Sequence, residues 1–269
     1  ADWKPDRRQF MQLLGATVYN SPSNRTNIGK KLLKQNPNHH GSLGIAIAEA
    51  VQDAANDPTA AYSLGSVLNH VLLHQTIIGL ETKKQLQQVN AYPDTVISCL
   101  GGGSNFGGLA IPFLHDRIKK QTSTTFIATQ SEVAPNLTGE YCYDFGDYAE
   151  QTPLLKMCSL GHKTSFKPIK ADGLRYHAAA PIISALRHAG LIDTIIYPSD
   201  EKYVFNKAKL FIQTEGFLPA PESAYSIAAA IDEAKKCKKT DERKTILFNV
   251  SGHGFMDMQG FAEKLKIGG

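Results

Sequence analysis

Two apolar rhythms alternate along the 269-residue chain. Short runs in which nearly every position is apolar read as strands, and longer stretches with apolar residues three and four apart read as helices. The strand readings are residues 16–19, 95–100, 124–129, 195–197 and 245–250. Helices are predicted over residues 7–14, 27–34, 45–55, 66–86, 106–114, 181–189, 200–214 and 224–235. The first carries Phe10, Met11 and Leu14 and stops at Gly15, a natural C-cap. The long one carries Val67, Val71 and Ile78, with charge gathering at its end in Glu81, Lys83 and Lys84. Strands alternating with helices predict an α/β fold with a mainly parallel sheet flanked by helices. Residues 137–172 read as loop-rich, and long loops in a compact domain are often functional.

Composition narrows the class. Hydrophobic residues at 42% and charged residues at 20% are globular values, neither disordered nor fibrous. Lys plus Arg number 29 against 25 Asp plus Glu, a net +4 that is too slight to imply nucleic acid without a clustered basic face. The nearest cluster, Lys235-Lys236-Cys237-Lys238-Lys239, lies beside Asp241 and Glu242 and reads as a solvated helix end. Cys99, Cys142, Cys158 and Cys237 form no Cys-x-x-Cys pair and need no disulfide framework. No apolar run approaches the ~18 residues of a membrane span, and Ala1-Asp2-Trp3-Lys4 lacks the character of a signal peptide. The expectation is a soluble, cytoplasmic protein with neither a nucleic acid nor a membrane as partner.

Two strand tips carry candidate chemistry. After residues 95–100 come Gly101, Gly102, Gly103, Ser104 and Asn105, then a helix. Glycines let backbone N–H groups turn inward around an anion, Ser104 and Asn105 add side-chain donors, and a helix N-terminus adds partial positive charge. A phosphate would fit such a cradle; a plain tight turn has the same composition. The loop is neither a P-loop, having no Gly-Lys-Ser/Thr ending, nor a Gly-x-Gly-x-x-Gly dinucleotide turn with a placed acid. The last strand ends in the same manner at Ser251-Gly252-His253-Gly254. Ligands of open α/β sheets bind at such tips, although Val250 before Ser251 rules out a nucleophile elbow.

At these residues the chain resembles the beta chain of tryptophan synthase, a fold type II pyridoxal-phosphate (PLP) enzyme, in its second, divergent class. The resemblance runs from about Arg7 to the last strand, through Gly15-Ala16-Thr17-Val18, Gly41-Ser42-Leu43-Gly44 and His74-Gln75-Thr76-Ile77-Ile78-Gly79-Leu80-Glu81. It continues through Gly101-Gly102-Gly103-Ser104-Asn105, Gly139-Glu140-Tyr141-Cys142-Tyr143-Asp144, Gly173-Leu174-Arg175-Tyr176-His177 and Glu215-Gly216-Phe217-Leu218-Pro219. It implies a C-terminal portion: residues 1–75 as the remainder of an N-terminal, mobile domain and 76–269 as the cofactor-phosphate domain. By resemblance, loop 101–105 holds the PLP phosphate, Ser251 faces the pyridine nitrogen, and Glu222 lies near the ring. A hydroxyl opposite the nitrogen leaves the cofactor a milder electron sink, which suits β-elimination and β-replacement. Backbone carbonyls near Leu100, Leu174, Tyr176 and Ala178 correspond to the family's monovalent-cation (Na or K) site.

The resemblance also has gaps. The better-known class has an aspartate where Arg175 stands here; an arginine could pair with a phosphate leaving group or simply with a surface acid. The Schiff-base lysine of fold type II enzymes lies on a His-Lys-x-Asn type motif before the phosphate loop. Here the only His-Lys is His162-Lys163, well after it. No Gly-Ala-Gly-Gln segment occurs. The resemblance therefore implies a complementary N-terminal chain that supplies the lysine, a dimer of complete units, and an alpha-type subunit as a further candidate partner. The implied activity is tryptophan formation from indole and serine or phosphoserine; the alternative is a non-catalytic chain that binds a partner or a phosphorylated ligand.

Overall fold

The computed structural model describes residues 4–63, 65–119 and 121–267. Ten helices occur among them: α1 (Pro5–Leu13), α2 (Asn27–Gln35), α3 (Leu43–Asn56), α4 (Asn69–Gln75), α5 (Ile77–Gln88), α6 (Ser104–Ile118), α7 (Pro181–His188), α8 (Lys202–Glu215), α9 (Ser223–Thr240) and α10 (Met258–Leu265). The strands are β1 (Thr95–Cys99), β2 (Thr125–Ser131), β3 (Glu140–Phe145), β4 (Leu154–Ser159), β5 (Asp193–Tyr197) and β6 (Ile246–Phe248). Four of them form one parallel sheet in the order β5-β2-β1-β6. The expected α/β class is what the chain adopts.

β1 and β2 are buried on both faces, which is why their apolar residues do not alternate with exposed polar ones. Val96 and Leu100 on one side of β1 pack with Phe106, Phe113, Phe126 and Ile183, beneath α4, α6 and α7. Ile97 and Cys99 on the other side pack with Phe205, Tyr225, Ala228 and Phe261, from α8, α9 and α10. Every residue of β1 is buried, so it is the centre of the molecule.

The departures from the sequence reading have local causes. Residues 16–19, read as a strand, form no ladder with any strand among the described residues, and Tyr19 is exposed with the Arg25 guanidinium over its ring. An apolar run without a ladder partner does not make a strand. The single helix read over 66–86 is two, because the Thr76 hydroxyl donates to the Leu73 carbonyl at 2.5 Å and competes with the helical ladder at that point. Residues 137–172 contain an antiparallel hairpin, β3 paired with β4 from Glu140↔Ser159 to Phe145↔Leu154. Its strands mix polar and apolar residues because much of their surface faces water. α10 was not anticipated; it covers the α8 and α9 face through Phe261. No helix among the described residues is long and apolar enough to cross a membrane.

The packing of α5 on α6 is close enough to require glycine. A methyl on Gly79 would lie 2.4 Å from the Leu109 carbonyl oxygen and 2.9 Å from that of Gly108. Both contacts are to backbone, which cannot swing away. Gly79→Ala is expected to lower stability by about 1–3 kcal/mol, read as a lower urea midpoint at unchanged m-value. Wild-type stability in that variant would show that the helices separate freely.

Candidate functional site

Parallel pairing makes β1 and β6 end side by side, and the two strand-tip units meet there. β1 runs into Gly101-Gly102-Gly103, and α6 starts at Ser104. Gly103 has φ +123°, a conformation that side chains rarely adopt. Asn249 Nδ2, one residue beyond β6, donates to the Asn105 backbone carbonyl at 3.2 Å and to Asn105 Oδ1 at 3.0 Å. Asn105 Nδ2 in turn donates to Ser98 Oγ at 3.0 Å and to the Cys99 carbonyl at 3.3 Å. The Asn105 side chain thus pins the helix start to the sheet, and its offering to an anion is its backbone amide alone.

The cradle has open donors. The first turn of α6 carries no side-chain cap. Among the described residues no acceptor takes the amides of Gly103, Ser104, Asn105 or Phe106, whereas the Gly107 amide closes the first helical bond on the Gly103 carbonyl. Four orphan N–H groups at a helix N-terminus, rimmed by the Ser104 hydroxyl, fit a phosphate dianion. The loop also presents backbone where a side chain would obstruct: a methyl on Gly102 would meet Ser66 Oγ at 2.6 Å and Val67 Cγ2 at 3.0 Å. These residues therefore fit the phosphate end of PLP.

Glu222 is the N-cap residue of α9, and Ser251, three residues beyond β6, is tied to the first residue of the same helix. The Ser223 hydroxyl donates to the Ser251 carbonyl at 2.8 Å and accepts the Ser251 amide at 2.9 Å, with the two hydroxyl oxygens 3.3 Å apart. Glu222 Oε1 accepts the Gly173 amide at 2.9 Å. The Gly173 carbonyl oxygen lies only 2.1 Å from where a Gly101 Cβ would stand, so Glu222 steadies a segment that rests on the cradle. The neighbouring Cys99 thiol is pushed up to about 12 by burial, and the Glu222 charge adds to the shift. It is inert as a nucleophile at neutral pH.

Arg175 is largely buried, with Nε on Asp172 Oδ1 at 2.7 Å, Nη2 on the same oxygen at 2.5 Å, and Nη1 on the Phe166 carbonyl at 3.3 Å. Lys163 is far less enclosed: it is 60% exposed and bonded to Glu150, while His162 bonds Asp144. Of the carbonyls read as a cation shell, those of Tyr176 and Ala178 converge, together with that of Gly101, on Asn136 Nδ2. The Leu100 and Leu174 carbonyls are not among its acceptors. Asn136, Ser223 and Asn249 escaped the sequence reading. Only the Asn249-Val250-Ser251 ending of the last strand held a local hint, a polar residue at a strand tip.

Comparison with known proteins gives the family. A family model described as "Pyridoxal-phosphate dependent enzyme" matches residues 1–252. Tryptophan synthase beta chain 2 of Aeropyrum pernix is 53% identical over 264 residues, which are 97% of this chain and 58% of that protein. Its counterpart from Aquifex aeolicus is 52% identical over 266 residues, 97% of this chain and 61% of that protein. The chain thus spans about three fifths of the length of these relatives. A fungal L-serine ammonia-lyase structure from Rhizomucor miehei superposes with a TM-score of 0.58 at 14% identity, over 82% of this chain and 64% of that one. That likeness is one of fold.

Gly102→Val should weaken binding of PLP to the assembled protein by tenfold or more, since the branched side chain collides with Ser66 and Val67 and displaces the loop. Gly103→Ala should act in the same direction through about 1–3 kcal/mol of backbone strain. Fluorescence titration with PLP, run alongside thermal unfolding to confirm folding, measures both. Wild-type affinity in the folded variants would count against the cradle.

Proposed function

This chain belongs to the pyridoxal-phosphate dependent enzymes, and from that premise we propose that it supplies the cofactor-phosphate portion of a tryptophan-synthase-beta-like enzyme. The reaction is β-replacement, in which indole displaces the hydroxyl or phosphate at Cβ of serine or phosphoserine. The single observation that carries the reading is the set of orphan amides at the start of α6, beside Ser251 and Glu222, within a sequence 53% identical to a tryptophan synthase beta chain 2.

Bound PLP supplies an electron sink for the carbanion formed at Cα. The chain's own residues hold and shape it. The amides of Gly103, Ser104 and Asn105 would hold the phosphate, whose charge the helix dipole of α6 favours. Ser251, held by Ser223, would offer a neutral hydroxyl to the ring nitrogen of a bound PLP, which would leave the sink mild enough to discourage transamination. Glu222 fixes residues 173–174 against the loop. The lysine that links the cofactor lies outside these 269 residues, on a complementary N-terminal chain or segment. In support, no His-Lys-x-Asn motif precedes the loop, and Lys163 is turned to Glu150. The same reading carries a dimer of complete units, an alpha-type subunit that delivers indole, and a cytoplasmic location.

Two measurements test it. Borohydride reduction of the PLP-loaded assembly, followed by peptide mapping, should place the pyridoxyl group on a lysine of the complementary region; a single stoichiometric pyridoxyl-lysine within residues 1–269 overturns the division of labour. Indole with serine or phosphoserine should then give tryptophan, and a loaded assembly that makes none leaves the chain as a binding module.

Arg175 is the proposed contact for a donor phosphate, because a cation stands immediately after the segment that rests on the cradle. A charge-assisted pair is worth about 1.5–3 kcal/mol. Phosphoserine should therefore exceed serine in kcat/KM by roughly tenfold to a hundredfold. Arg175→Ala should remove most of that preference and spare serine. An equal loss with both donors would assign the arginine to bracing Asp172 alone.

A further inference from the structure

Three buried backbone carbonyls, of Gly101, Tyr176 and Ala178, point at one spot beneath the phosphate cradle, and a side chain fills it. Asn136 Nδ2 lies 2.9 Å from the Gly101 oxygen, 3.1 Å from the Tyr176 oxygen and 3.0 Å from the Ala178 oxygen. Asn136 itself is fully buried. Among the described residues no other donor reaches these three carbonyls. Converging carbonyl oxygens bring partial negative charges together, and such a cluster is stable only around a cation or around N–H donors.

The orientation of the carboxamide is dictated by its surroundings. Asn136 Oδ1 accepts Gln130 Nε2 at 2.7 Å. Gln130 Oε1 accepts the Leu137 amide at 3.3 Å and the Thr194 hydroxyl at 3.4 Å. A flip of Asn136 would set its oxygen against three carbonyl oxygens and its NH₂ against the Gln130 NH₂. The amide nitrogen therefore faces the cluster, and its two hydrogens serve three acceptors.

We propose that Asn136 stands in for the monovalent cation that the sequence resemblance implies, so that this chain holds its cradle without one. A cation does not fit: the point equidistant from the three oxygens is occupied by a covalently tethered nitrogen. Asn136 is thus a positioning residue. It fixes the first residue of loop 101–105 through the Gly101 carbonyl, while the Ala180 amide fixes the second through the Gly102 carbonyl at 2.8 Å. Together they set the direction in which the orphan amides of α6 face.

The proposal is independent of which reaction the enzyme performs, because its readout is cation binding. The test uses the purified protein with its complementary region, at constant ionic strength made up with tetramethylammonium chloride, an ion too large for the cluster. Thermal unfolding is followed while NaCl, KCl or CsCl replaces that salt. Wild-type midpoints should agree within about 1 °C in all four salts. Asn136→Ala, with its three carbonyls freed, should gain a saturable rise of about 2–4 °C or more with the best-fitting cation. A saturable cation response of the wild type, or a folded Asn136→Ala protein that ignores all three cations, overturns the proposal. If Asn136→Ala does not fold, thallium-soaked crystals of the wild type decide. An anomalous peak among the Gly101, Tyr176 and Ala178 oxygens refutes the substitution, and its absence there supports it.

Discussion

A helix that begins inside a protein must dispose of its first amides, and α6 does not dispose of them. Gly103, Ser104, Asn105 and Phe106 carry N–H groups with no acceptor among the described residues, at the end of a wholly buried strand. Unsatisfied donors in such a place are costly unless an anion or water meets them. Much of the surrounding structure reads as a frame that keeps this arrangement from relaxing. The Asn105 side chain, which could have folded back as a cap, is tied to Ser98 and Cys99 instead.

The frame is built from polar contacts between segments far apart in the chain. Asn249 joins the end of β6 to the start of α6, Ser223 joins α9 to Ser251, and Glu222 joins α9 to Gly173. Asn249 and Ser223 are short side chains whose ordering costs little entropy, whereas Glu222 gives up more rotamer freedom to hold Gly173. Aromatic and aliphatic side chains on both faces of the sheet provide the dry surroundings in which such hydrogen bonds gain strength. Apolar packing positions the strands, and the polar ties decide where their tips point.

Glycine contributes by what it leaves out. At Gly101 a side chain would strike the Gly173 carbonyl, and at Gly79 it would strike α6. The same absence of Cβ that brings helix to helix also brings the 173–174 segment onto the phosphate loop. Stability and ligand access are therefore set by one stereochemical property, used at different places.

How much was legible beforehand follows from the range of each interaction. The β1, glycine loop and α6 unit could be read from residues 95–114 alone, because periodicity and glycine placement act between near neighbours. The parallel sheet flanked by helices was legible for the same reason, through short, largely apolar strand runs alternating with helical ones. Residues 16–19 had the composition of a strand and are not one, since a ladder needs a partner that composition does not specify. Asn136 was illegible: its acceptors lie 35, 40 and 42 positions away, in two separate loops of the chain. Nothing local distinguishes an asparagine that gathers three carbonyls from one that faces water. The amino-acid order by itself determined which segments are helix or strand and where glycine opens the backbone. The tertiary structure decided which carbonyls converge and what fills the space between them, because that depends on segments brought together only after the sheet has formed.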